Sequence, residues 1–80
     1  MRGDNVIVRA FGGLPLVRKV WSIGARVIYL TDDEEFQKLE AGKSALPPIG
    51  FPKEDVFAFD PAIVSNLESL KWSEAKPYLD

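Results

Sequence analysis

The side chains able to do chemistry in this 80-residue chain are carboxylates, lysines, arginines and serines, because it has no histidine and no cysteine. That removes thiolate and imidazole nucleophiles, the usual proton carrier near neutral pH, disulfides, and the common zinc ligand sets. The longest acidic run is Asp32-Asp33-Glu34-Glu35. Hard cations want several converging carboxylates, but consecutive helical residues point around the axis in different directions, and no glycine or distant glutamate closes a calcium loop. The run reads as the acidic first turn of a helix. Glu54, Asp55 and Asp60 could form an acid/base pair only where burial raises one of them, and Asp60, before Pro61, is better placed as a helix cap. Ser22, Ser44, Ser65, Ser69 and Ser73 have no histidine base, and Lys43-Ser44 offers adjacency without a hydrogen bond. Gly12-Gly13 lacks the surroundings of a phosphate loop. Neither catalysis, a metal nor a cofactor is expected.

Charge distribution says more. The chain carries a net −2, but residues 1–30 set five cations against Asp4 alone, a net +4, while residues 31–80 set five lysines against eleven carboxylates, a net −6. Every arginine lies in the first thirty residues. Arg9, Arg18, Lys19 and Arg26, interleaved with Phe11, Trp21 and Tyr29, could form a β-surface for an acidic protein segment or for single-stranded nucleic acid. Nucleic acid is disfavoured because the whole chain is acidic, with a pI near 5.0. Trp72, flanked by Lys71 and Ser73 and out of step with the apolar stripe before it, is the aromatic residue best suited to meet a partner. Arg9, Arg18, Arg26 and Trp72 are therefore the candidate partner-binding residues.

The elements that must position them can be read from turn signals and periodicity. Val6–Phe11, Leu14–Ile23 and Ala25–Leu30 read as three strands joined at Gly12-Gly13 and Gly24. A two-residue turn at Gly12-Gly13 would put Val6, Val8, Val17, Lys19 and Trp21 on one face. Ile7, Arg9, Phe11, Leu16, Arg18 and Val20 would share the other. Both faces are then apolar, so the sheet must curl on itself, be covered by helices, or meet another chain. Thr31-Asp32-Asp33-Glu34 matches a capping box, which predicts a helix over Asp32–Ala41 with Gly42 as a left-handed stop. Lys43–Pro52 reads as an extended loop whose Ile49 and Phe51 cross the core, and Val56–Phe59 as a short fourth strand. Asp60-Pro61 opens a C-terminal amphipathic helix on Ile63, Leu67 and Leu70, ending before Pro77.

The expected fold is α+β over residues 1–80 as one small domain: a three- to four-stranded antiparallel curled sheet, a short capped helix and a C-terminal amphipathic helix. The strand-turn-strand opening is similar in architecture to SH3-like curled sheets. No segment approaches the roughly 20 apolar residues of a membrane span, and Met1–Arg9 is too short and too soon charged for a signal-peptide core. A cytoplasmic protein with no membrane partner is expected. A chain this short gains buried area by association. The sequence thus points to a non-enzymatic protein-interaction module that forms a homodimer.

Overall fold

A computed structural model describes residues 1–79. Five antiparallel strands form one sheet: β1 (Asn5–Arg9), β2 (Pro15–Ile23), β3 (Val27–Thr31), β4 (Ile49–Pro52) and β5 (Val56–Ala58), in the order β4-β3-β2-β1-β5. The two edge strands are joined only by the 3-10 turn Lys53–Asp55. Three residues can bring opposite edges of a five-stranded sheet that close only when the sheet curls strongly. The curl gathers Val6, Val8, Val20, Ile28, Leu30 and Val56 into one buried cluster on the inner face.

Register corrects the expected hairpin. Val6 stands opposite Arg18, Val8 opposite Leu16, and Arg9 opposite Pro15, one residue out from the pairing that a two-residue turn would impose. The connection is five residues long, with a 3-10 turn at Phe11–Gly13 and the Ala10 N–H donating to Leu14 O at 2.8 Å. Gly12 and Gly13 do take positive φ, 71° and 79°, but as the exit from that turn. A slip of one residue transfers every β2 side chain to the other face. Val6, Val8, Leu16, Arg18 and Val20 therefore line the inner face. Asn5, Ile7, Arg9, Val17 and Lys19 line the outer one. Arg9 and Arg18 lie on opposite faces, not on one.

Both faces are indeed apolar, and the chain covers the centre of each itself. Tyr78 and Leu79 pack on the inner cluster. On the outer face Ile7 is fully buried opposite Val17 and Phe57. At Trp21 an extra residue between Val20↔Leu30 and Ser22↔Tyr29 interrupts the β2–β3 ladder. Such a bulge re-aims a side chain, and Trp21 meets Phe36 edge to face at 5.8 Å.

Phe36 comes from α1 (Asp33–Glu40). The cap is Asp32, one residue later than expected: its Oδ1 accepts from the Glu35 N–H at 2.7 Å, while Thr31 completes β3 and is buried. The predicted stop holds. Gly42 sits at φ 68°, its N–H donates to Leu39 O, and the Lys43 N–H donates to Lys38 O, the pair of bonds of a Schellman terminus.

Two further differences fall in the second half. Ile49–Pro52, expected as loop, pairs with β3, with Phe51 opposite Ile28 and Ile49 opposite Leu30, so prolines 47, 48 and 52 bracket an edge strand where missing donors are tolerated. The expected C-terminal amphipathic helix is broken. After α2 (Pro61–Val64), capped by Asp60 as expected, the chain makes 3-10 turns at Leu67–Ser69 and Trp72–Glu74. The break falls at Ser65-Asn66: the Ser65 hydroxyl donates back to Ala62 O, and Asn66 leaves helical geometry at φ −146°, ψ 63°. Both residue types compete with the helix for backbone partners. Beyond them, the segment follows the sheet edge, where Ala58 N–H donates to Lys76 O and Tyr78 N–H to Val56 O.

Candidate interaction surface

Of the four residues singled out in the sequence, the fold brings two together. Arg9, on the outer face at the end of β1, binds Asp55 Oδ1 through Nε at 3.0 Å and Nη2 at 2.9 Å, and Nη2 also donates to Glu54 O at 3.2 Å. Its guanidinium lies over the rings of Phe57 (5.2 Å) and Trp72 (5.5 Å). Trp72 stacks on Phe57 at 4.9 Å, and its indole N–H donates to Gly13 O at 3.3 Å. Arg9 and Trp72 are thus joined in one stack that ties β1, the 53–55 turn, the 72–74 turn and the β1–β2 connection together. Trp72 is half-buried in that stack.

Arg18 and Arg26 lie elsewhere. Arg18 is half-buried on the inner face, and Arg26 is exposed in the β2–β3 connection, where its carbonyl accepts the Lys53 N–H. Of the acidic residues weighed for catalysis, Asp55 holds Arg9 and Asp60 caps α2, while Glu54 is exposed and meets Arg9 only through its carbonyl. In the 32–35 run, Asp32 caps α1, and Glu35 binds Lys38 Nζ at 3.2 Å and the Leu46 N–H at 2.8 Å. Among the described residues no three acidic side chains converge on a point that could hold a metal ion. No helix there is long and apolar enough to cross a membrane.

The stack supports a surface that the sequence did not single out. The 3-10 turn lifts Phe11 wholly clear of the protein, at 100% exposure, and Leu14 on its far side is 56% exposed. Beside them opens a groove of about 320 Å³ lined by Gly13, Leu14, Pro15, Leu67, Leu70 and Trp72, with Glu68 at its rim. The Trp72–Gly13 hydrogen bond joins the groove to the loop that carries Phe11, so knob and groove are fixed relative to one another. A fully exposed phenylalanine leaves its whole apolar area in water, and burying it stabilises a contact by about 1.5–3 kcal/mol. The signal was legible: an aromatic residue directly before Gly-Gly belongs to a turn, and turn residues face out. The strand reading absorbed it.

Comparison with models of known families, with curated proteins and with solved structures finds no match. Function has to be argued from the surface itself.

Proposed function

We propose that the protein is a non-enzymatic interaction module of SH3-like architecture that self-associates, each copy placing Phe11 in the groove of another. The architecture is supported by the strand order β4-β3-β2-β1-β5 and by the 3-10 turn joining the two edge strands. Self-association rests on one observation: the fully exposed Phe11 lies in the same turn as Gly13 and Leu14, which line an open apolar groove. A knob and a groove that are neighbours can be exchanged across a two-fold axis, which gives a closed dimer with both sites filled. The groove has room for a phenyl ring, since a cavity of about 150 Å³ holds benzene.

The other routes to a dimer are hindered. The β5 edge is covered by residues 76–78, and β4 is bracketed by prolines that have no N–H to offer. The centre of each apolar sheet face is covered from within the chain. Contact must therefore be made by side chains, and Phe11 with Leu14 is the apolar pair that the β1–β2 connection leaves exposed.

Sedimentation velocity over a concentration series tests this. The protein is expected to shift from monomer toward dimer as concentration rises into the high micromolar range, and Phe11→Asp to remain monomeric with an unchanged circular dichroism spectrum. A wild-type chain that stays monomeric throughout contradicts the proposal. A monomer that is retained on mixed nucleic acid at low salt and released at higher salt would replace it with a nucleic-acid-binding reading.

A further inference from the structure

Away from the Phe11 turn, the inner face of the sheet opens between β2, β3 and β4. Leu16, Leu30, Ile49 and Phe51 form its apolar walls, with Leu46-Pro47 at the rim of a pocket of about 190 Å³. The rim is held by α1, whose Glu35 accepts the Leu46 N–H at 2.8 Å. The pocket's one cation is Arg18.

Three of the half-buried cations meet carboxylates, while Arg18 and Lys53 meet none among the described residues, and of those two only Arg18 lines the pocket wall. Arg9 meets Asp55, Lys19 meets Asp33 at 3.7 Å, and Lys38 meets Glu34 and Glu35. Arg18 meets no carboxylate among the described residues, and its guanidinium donates only to Val17 O, the carbonyl of its own neighbour, at 2.8 Å. The two acidic residues on the pocket wall are committed elsewhere: Asp32 caps α1, and Glu35 holds Lys38 and Leu46. A guanidinium has five N–H donors in a planar fork matched to a carboxylate. Placed on the apolar concave face of a central strand, it is an incomplete pair.

We infer that this pocket binds a small apolar carboxylate, with the acid on Arg18 and a branched aliphatic or aromatic body against Leu16, Leu30 and Phe51. The volume suits a body of about six to eight heavy atoms, since benzene fills a cavity of about 150 Å³. The site goes beyond the self-association surface and shares no residue with it. Two sources present this chemistry, a free short-chain acid and the C-terminal residue of a peptide ending in leucine. In both, one charge-assisted fork fixes the head while area burial holds the tail.

Titration of isotope-labelled protein with 4-methylpentanoate, followed by NMR, tests the site. Chemical-shift changes are expected at Leu16, Leu30, Phe51 and the Arg18 Nε–H, with saturation at millimolar ligand. The neutral 4-methylpentanamide keeps the shape and removes the charge, and is expected to bind at least about tenfold more weakly to the unaltered protein. Arg18→Gln is expected to lower affinity to the same degree, with the amide comparison covering the case in which that variant does not fold. A dipeptide ending in free leucine, run beside its C-terminally amidated form, separates the two sources: equal or tighter binding of the free dipeptide assigns a peptide terminus, and exclusion of it assigns the free acid. No saturable shifts with either carboxylate, or equal binding of acid and amide, overturns the inference.

Discussion

At the scale of single residues, two of the four cations that read as a binding surface, Arg9 and Lys19, are engaged with the fold. Arg9 is the plainest instance: its fork is held by Asp55 and the Glu54 carbonyl and its plane lies on two aromatic rings, which is what arginine does better than lysine. A second, largely exposed link joins Met1 and Asp4 to Tyr78. The Tyr78 hydroxyl donates to Asp4 Oδ2 at 2.7 Å, and the Met1 ammonium reaches both. The ammonium and the phenol hold the Asp4 carboxyl below its ordinary 3.8, while burial, then the Asp4 charge, pushes the Tyr78 phenol from 10.0 up to about 12. A raised tyrosine pKa means that the folded chain favours the protonated phenol. Its contribution to stability is complete below pH 10 and lost as pH rises toward 12. Thermal unfolding across that range should show the wild type losing stability more steeply than Tyr78→Phe. Parallel curves would show that Tyr78 titrates alike folded and unfolded.

At the scale of elements, what was legible depended on how far the local signal reached. The acidic first turn and the glycine stop of α1 are contained within the helix they define, and both were readable. The cap itself slid from Thr31 to Asp32 because β3 claims Thr31 for its ladder with Lys19, a tertiary demand no local pattern contains. Asp32→Ala is expected to destabilise by about 1 kcal/mol through the lost cap. Gly42→Ala should cost about 1–2 kcal/mol through its left-handed φ. The two lie at opposite ends of α1 and should add in urea unfolding of the double variant. A loss for Gly42→Ala near zero would contradict the Schellman terminus. The β1–β2 connection shows the reverse case. Glycines at 12 and 13 suit a two-residue turn and a 3-10 turn with a left-handed exit alike, so the register was open by one residue, and with it the face of Arg18. In the C-terminal segment Asp60-Pro61 marked a true helix start, but the Ile63-Leu67-Leu70 spacing extended it past Ser65-Asn66. The docking of Trp72 on Phe57 and Gly13 lies far away in sequence and could not be seen there.

At the scale of the whole molecule, a chain of this length covers two apolar sheet faces by folding over itself. The inner face is covered in part by curl and by Tyr78 and Leu79, leaving the pocket beside Arg18 open, and the outer face by Phe36, Trp21 and Trp72. Two-sided apolarity was the sequence argument for a dimer, and the fold answers it within one chain. What remains for a partner is smaller in area and sharper in location: the exposed Phe11, held by a 3-10 turn beside a groove it does not fill. The split of charge into a basic first part and an acidic second part is met internally only in part, by Arg9–Asp55 and Lys19–Asp33. The central claim is that Phe11 of one copy enters the groove of another. An isotope-filtered NOE experiment on equal parts of labelled and unlabelled protein examines that contact in the native sequence. The account predicts intermolecular signals between the Phe11 ring protons and the methyl groups of Leu67 and Leu70. A dimer that lacks those signals, or shows them only within one chain, contradicts it.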